Sequence, residues 1–87
     1  MTNKADIKEI TITPRKLAIF SSNVARQRKA AGMSKTEFAA STTVSRDTIR
    51  RIETRPEGYI PSIDSIVALA ELAGTSVQGI LTTRLQF

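Results

Sequence analysis

The chain contains neither cysteine nor histidine among its 87 residues. These absences exclude disulfide bridges, thiolate zinc sites, cysteine nucleophiles and histidine general bases. Aromatic residues make up only 5% of the chain, against 40% for hydrophobic residues as a whole, so we expect a core of isoleucine, leucine, valine and alanine. A chain of this length is sufficient for one modest hydrophobic core. The sequence therefore predicts a single small domain.

Several other features are missing as well. No apolar run approaches the roughly 18 residues needed to span a bilayer, and the first residues, MTNKADIKE, lack the apolar region of a signal peptide. We therefore expect a cytoplasmic location. Acidic residues are scattered, and the sequence shows no glycine-rich phosphate loop and no metal-ligand spacing. We expect no enzymatic activity, no cofactor and no metal.

Positive charge is concentrated in the middle of the chain. The whole sequence carries 13 basic and 8 acidic side chains. Residues 15–55 hold ten of the basic and three of the acidic ones, whereas residues 56–87 hold one basic and three acidic side chains. Such clustering is what a polyanion-binding surface requires, although an ordinary solvated basic face is the alternative.

Helical spacing of apolar residues and capping signals predict five helices. In chain order we expect them at Pro14 to Ala31, Ser34 to Ser41 or Thr42, Arg46 to about Arg55, Ile63 to about Ala73, and Thr75 or Ser76 to about Leu81. Gly32 and Gly74 are expected to end the first and fourth helices. The Ser34–Glu37 pair predicts a capping box at the start of the second helix.

The two ends of the chain show a different periodicity. Ile10 and Ile12 alternate with threonine, and the segment LTTRLQF at residues 81–87 alternates in the same way. Period-two spacing predicts short β-strands at about 9–13 and 82–87, which would pair with each other or with a second subunit. The alternative is two disordered tails. We therefore divide the chain into an N-terminal extension (1–13), a helical domain (14–81) and a C-terminal extension (82–87) that is a strand or a dimer contact.

Two opposite charges interrupt the apolar faces of the predicted helices. Arg28 continues the stripe of Phe20 and Val24 on the first helix, and Glu53 lies beside Ile49 on the third. Burying a guanidinium without a partner is costly. We therefore predict an Arg28–Glu53 ion pair that joins these two helices.

Residues 33–53, MSKTEFAASTTVSRDTIRRIE, comprise two short predicted helices joined by a tight turn. This is the layout of a helix-turn-helix, whose second helix enters the major groove of DNA. Arginine has a planar fork that matches O6 and N7 of guanine, and Arg46 in the first turn is the strongest candidate for such a contact. Arg50 and Arg51 point in different directions on a helical wheel. We expect Arg51 in the groove and Arg50 on a phosphate.

Residues 17–81 resemble the phage-repressor, or Xre/Cro-like, family of helix-turn-helix domains. The resemblance is carried by Arg28 and Gly32 and by the segments MSKTEFA, VSRDTIRRIE, IPS and LAELAGTSVQGIL. It implies a compact, all-α domain of five helices in which the third helix reads operator DNA, usually as a dimer on a two-fold site. In that family, an arginine at the position of Arg28 often pairs with a glutamate at the position of Glu53.

The resemblance also implies roles for single residues. The family's base-reading positions are occupied here by Arg46, Asp47 and Arg51. Ser45 and Thr48 match positions that touch phosphate or base, and Lys35 matches a position that binds phosphate. Apart from the resemblance, we expect Arg50 and Arg55 to contact the DNA backbone as well. Asp47 would accept a hydrogen bond from cytosine N4; alternatively, it only favours the helix N-terminus and pairs with Arg51 four residues later.

The turn and the connection after the third helix depart from the family pattern. Glycine is usual where this chain has Thr43, and a large apolar residue is usual where it has Thr42. A β-branched residue is unfavourable at positive φ, so we expect a rebuilt turn. The connection after the third helix is about two residues longer than the common form.

These observations favour a sequence-specific DNA-binding transcriptional regulator of the phage or prophage repressor type, acting as a homodimer on a two-fold operator. It would be a stand-alone regulator of the Cro kind or the DNA-binding part of a longer repressor. One alternative is an antitoxin-type subunit that binds a protein partner and autoregulates through DNA binding. Another is a helix-turn-helix fold used only for protein contacts.

Overall fold

The computed structural model describes residues 11–87, in which all regular secondary structure is α-helical. The five helices are α1 (Pro14–Ala30), α2 (Lys35–Ala40), α3 (Arg46–Thr54), α4 (Ile63–Leu72) and α5 (Val77–Thr82). Their bounds lie within two residues of the predicted ones, and the all-α prediction is confirmed. No helix in this part of the chain is both long and apolar enough to cross a membrane.

Each helix begins after a hydroxyl side chain that accepts a hydrogen bond from the backbone N–H three residues later. These N-cap residues are Thr13, Ser34, Ser45, Ser62 and Ser76. Such caps satisfy amide groups that the start of a helix leaves without an internal partner. At α2 the cap is reciprocal, because the Glu37 carboxylate accepts from the Ser34 backbone N–H at 3.0 Å. This hydrogen bond lowers the pKa of Glu37.

Two glycines end helices as expected. Gly32 after α1 and Gly74 after α4 have φ angles of 69° and 73°. A residue with a Cβ is strained in this left-handed region. The chain then turns back at each point, with Met33 N–H donating to the Arg28 carbonyl and Thr75 N–H donating to the Ala70 carbonyl.

The core is built from apolar side chains of all five helices and of the turn between α2 and α3. Its buried members are Phe20, Val24, Phe38, Val44, Ile49, Ile52, Ile66, Leu69, Ala70, Val77, Ile80 and Leu81. Aliphatic side chains dominate, as the composition predicts. Removing this apolar surface from water is the main force that holds the helices together.

The predicted strand at residues 82–87 is not formed. Thr82 is the last residue of α5, and the segment that follows is fastened to α1 by the buried amide of Asn23. Its Nδ2 donates to the carbonyls of Ile80 (3.0 Å) and Thr83 (2.8 Å), and its Oδ1 accepts from the Leu85 N–H (3.0 Å). The side chain thus satisfies three backbone groups in the last turn of α5 and in the segment that follows.

The predicted N-terminal strand lies partly outside the described residues. Its described part, 11–13, is not a strand, because Thr13 is the N-cap of α1 and the Thr11 carbonyl accepts from the Lys16 ammonium at 2.9 Å. Ile12 contacts the core.

Candidate nucleic-acid interface

The turn between α2 and α3 is closed by a threonine side chain. The Thr42 hydroxyl oxygen accepts from the Val44 N–H at 2.8 Å and lies 3.1 Å from the Ala39 carbonyl oxygen, to which it donates. Thr43 does not have a positive φ. The turn is therefore rebuilt, as expected, because a local side-chain hydrogen bond replaces the backbone conformation that a glycine would supply.

The orientation of α3 is set by burial on one side and by an ion pair. Ile49 and Ile52 are buried in the core. The Arg28 guanidinium contacts the Glu53 carboxylate through Nε–Oε2 (2.8 Å) and Nη2–Oε1 (2.9 Å), and its Nη1 donates to the Met33 carbonyl (2.9 Å). The pair that the sequence predicts is thus present in the structure.

This ion pair is largely shielded from water. The side chains of Arg28 and Glu53 are 14% and 7% exposed. The hydrogen bond to Glu53 raises the pKa of Arg28, against the opposing effect of burial. Charge-assisted bidentate pairs are short and directional. The contact therefore fixes α3 relative to both α1 and the start of α2.

The opposite side of α3 faces solvent and carries the three predicted base-reading residues. Arg46, Asp47 and Arg51 are exposed, while Thr48 and Arg50 are half-buried beside them. The structure thus places all three on one accessible helical face.

Asp47 forms ion pairs with two arginines. Its Oδ1 lies 2.9 Å from Arg50 Nη2, and its Oδ2 lies 3.0 Å from Arg51 Nε. The hydrogen bond from Arg50 is the main cause that lowers the pKa of Asp47, and the neighbouring positive charges add to it. The Asp47–Arg51 pair considered from the sequence is therefore present, together with a second pair that the sequence analysis missed. The i, i+3 spacing of Asp47 and Arg50 was the signal for it.

Arg51 has a second neighbour outside α3. The guanidinium carbon of Arg51 lies 6.0 Å from the ring centroid of Tyr59, which belongs to the connection between α3 and α4. The sequence places Tyr59 in this connection but does not indicate its proximity to Arg51, because helical periodicity does not describe the path of a connection.

The predicted DNA contacts that are not paired with Asp47 fall into two groups. The side chains of Lys35, Arg46 and Arg55 form no hydrogen bond or ion pair with residues 11–87, so their charges are available to a ligand. Ser45 and Thr48 are bound to each other at the N-terminus of α3, where Ser45 Oγ accepts from the Thr48 N–H (3.1 Å) and donates to Thr48 Oγ1 (2.9 Å). These hydroxyls therefore also have a structural role as the helix cap.

Comparison with known proteins agrees with this arrangement. A family model described as helix-turn-helix matches residues 24–80, which is well over half of the chain and contains α2, the turn, α3 and α4. Comparison with curated proteins and with solved structures gave no match. Members of the matched family are DNA-binding transcription regulators. The chain belongs to the Xre/Cro-like helix-turn-helix family.

Proposed function

We propose that the protein is a sequence-specific repressor of the phage type that binds a two-fold operator as a homodimer. The observation that carries this proposal is the solvent face of α3, on which Arg46, Asp47 and Arg51 are exposed while the opposite face is fixed by the core and the Arg28–Glu53 pair. A rigid helix with an accessible polar face is the element that reads base edges in the major groove.

The charged residues on and around α3 have separate tasks in this proposal. Arg46, in the first turn, reaches a guanine with its two-donor edge, and Arg51, one turn beyond Asp47, reads another base. Lys35, Arg50 and Arg55 contact phosphates, which supply affinity without sequence preference. The Asp47 carboxylate repels phosphate and accepts a hydrogen bond from cytosine N4. It therefore adds discrimination between bases rather than affinity for DNA. Occupation of the operator then blocks access of the polymerase.

Exposed apolar side chains support a protein–protein contact in addition to the DNA contact. Among the described residues, the large hydrophobic side chains left open to solvent are Ile60 (68%), Ile63 (50%), Leu72 (42%) and Phe87 (46%). None of them is on α2 or α3, and in this proposal a partner subunit covers some of them while α3 contacts DNA. A two-fold dimer would place two reading helices on half-sites about one helical turn apart.

The same exposed side chains favour one alternative. In an antitoxin-type subunit they would bind a different protein, and DNA binding would serve autoregulation. Co-purification of a second, small polypeptide with the natively expressed protein would favour this alternative. A protein that migrates as a homodimer and has no companion would favour the repressor.

The decisive experiment is selection of bound sequences from a random pool of double-stranded DNA by the full chain at moderate salt. We expect a palindromic motif whose half-sites are one helical turn apart. Enrichment of a single half-site would contradict the dimer, and failure to enrich any sequence would contradict sequence-specific binding. Sedimentation of the protein with and without the selected DNA measures the number of subunits.

A further inference from the structure

We propose that Tyr59 is a positioning residue for Arg51, and that it sharpens the choice of one base pair without touching DNA. This inference rests on the proposed function, in which Arg51 reads a base. It adds to that function the reason why the Arg51 guanidinium is directed at a base rather than at the nearest phosphate.

Tyr59 provides a fixed surface beside the long side chain of Arg51. The ring is half-buried and packs against the hydrophobic core, so its position is determined by the fold. The Arg51 guanidinium carbon lies 6.0 Å from the ring centroid, which is at the edge of the cation–π range. The Tyr59 ring therefore limits the movement of the Arg51 guanidinium on one side.

Asp47 restricts the same group from another direction. Its Oδ2 lies 3.0 Å from Arg51 Nε, while its Oδ1 is held by Arg50 at 2.9 Å. The carboxylate therefore cannot rotate freely. Within residues 11–87, neither Nη atom of Arg51 forms a hydrogen bond. The edge formed by the two Nη groups is thus left open, and this edge fits O6 and N7 of guanine.

The consequence concerns specificity more than affinity. Ordering a long side chain when DNA binds costs free energy, and an arrangement that exists before binding avoids part of that cost. If Tyr59 is removed, the charge of Arg51 remains and still attracts phosphate. Binding to any DNA is therefore retained, while the preference at the base read by Arg51 falls.

The test measures base preference in the full-length protein, at the operator obtained by selection. Competition binding to this operator and to its single-base variants gives the preference at each position. Arg51→Ala first identifies the position that Arg51 reads. We then expect Tyr59→Leu to lower the preference at that position about two- to fivefold, which corresponds to an exposed cation–π contact. Binding to random DNA should change less than twofold.

Two matched variants separate positioning from folding. Tyr59→Phe retains the ring and should keep the wild-type preference. In the double variant with Arg51→Ala, Tyr59→Leu should cause no further change at the Arg51 position. Thermal denaturation shows that each variant is folded at the temperature of the binding experiment.

The outcomes separate this inference from the function on which it rests. If Arg51→Ala leaves every base preference intact, the proposed role of Arg51 is overturned and the inference falls with it. If Arg51→Ala removes one preference but Tyr59→Leu does not, only the inference is overturned. A third outcome is that Tyr59→Leu lowers the base preference equally at all positions of the operator, or lowers it as much in the Arg51→Ala background as in the wild type. Either result would show that Tyr59 has only a structural role, and would also overturn the inference.

Discussion

The Arg28 guanidinium and the Glu53 carboxylate face each other in two parallel contacts, 2.8 Å between Nε and Oε2 and 2.9 Å between Nη2 and Oε1. The pair joins α1 to α3, and Arg28 also donates to the Met33 carbonyl just before α2. The orientation of α3 therefore depends on a contact that Glu53 makes with another helix, away from the exposed side chains of α3.

Glu53→Gln should strongly destabilise the fold. The change leaves the Arg28 charge in a site where its side chain is only 14% exposed, without a charged partner. Breaking a buried pair from one side costs about 3–5 kcal/mol. For a domain of this size we expect the melting temperature to fall by about 12 °C or more. Thermal unfolding followed by circular dichroism measures the change.

Two comparisons make the Glu53 experiment specific. Glu57→Gln is the same chemical change at an exposed site and should alter stability by less than about 0.5 kcal/mol. Replacing both partners, as in Arg28→Met with Glu53→Leu, leaves no buried charge and should cost less than Glu53→Gln alone. An unchanged melting temperature in Glu53→Gln would show that the pair does not hold α3.

Thr43→Gly should destabilise the protein, although glycine is the residue that the family resemblance leads one to expect there. Thr43 has no positive φ in this turn, because the Thr42 hydroxyl closes it through Val44 N–H. Glycine would therefore only increase the freedom of the unfolded chain, at a cost of about 0.4–1 kcal/mol. Thr43→Ala keeps the Cβ and is the control. A stabilised glycine variant would mean that the turn prefers the left-handed conformation.

Asn23→Ala should release the C-terminal segment. The change removes the partner of the Ile80 and Thr83 carbonyls and of the Leu85 N–H. Leaving a buried polar group unsatisfied costs about 1–3 kcal/mol, so we expect a loss of at least about 2 kcal/mol. Hydrogen exchange at the Leu85 amide should become faster. Gln78→Ala, an exposed amide on α5, is the control, and continued protection of the Leu85 amide would contradict the role of Asn23.

These results show which features the sequence predicts. Helix starts are local, since the N-cap hydroxyl and the amide that it binds are three residues apart, and all five were therefore predictable. The Arg28–Glu53 pair was predictable despite its sequence separation, because each charge interrupts an apolar face.

Other features depend on distant chain segments meeting in space. Asn23 and Leu85 are 62 residues apart, and no periodicity indicates that one fastens the other. The alternation at residues 81–87 arises differently from that of a strand, since Leu81 is buried in α5, Leu85 packs on the core and Phe87 is 46% exposed. Tyr59 reaches Arg51 through the path of a connection, which sequence patterns leave undetermined.

Arg50→Met should raise the pKa of Asp47 toward its ordinary value, and by more than Arg51→Met does. The Arg50 hydrogen bond is the largest cause of the lowered pKa, while Arg51 contributes only its charge. A carbon-detected NMR titration of the Asp47 carboxyl measures its pKa in both variants. Glu37 is the internal reference, because its pKa is lowered by Ser34 and should remain so in either variant.

The sign of the associated stability change follows from the lowered pKa of Asp47. The ionised carboxylate contributes stability above the ordinary aspartate pKa, and this contribution is lost as the pH falls through the lower value of the folded state. The acid side of the stability curve should therefore be less steep in Arg50→Met than in the wild type. A larger pKa rise in Arg51→Met would show that the Arg51 contact, at 3.0 Å, is the main cause of the lowered pKa in place of the Arg50 hydrogen bond.

Arg46→Ala and Lys35→Ala should weaken DNA binding in different ways. Neither side chain forms a hydrogen bond or ion pair within residues 11–87, so folding should change by less than about 0.5 kcal/mol in each variant. Arg46→Ala should cost about 1–3 kcal/mol on the selected operator, or about 5- to 150-fold, and broaden the base preference. Lys35→Ala should weaken binding to all DNA sequences alike and reduce the slope of log affinity against log salt concentration by about 1.

Arg46→Lys separates the shape of the Arg46 side chain from its charge. Lysine keeps the positive charge, so binding to random DNA and its salt dependence should remain close to wild type. It lacks the planar fork that contacts guanine O6 and N7 together, so the preference at that base should fall nearly as far as in Arg46→Ala. Competition binding to the operator and to random DNA at several salt concentrations measures both quantities. Equal losses for operator and random DNA in Arg46→Ala would show that Arg46 contacts only phosphate.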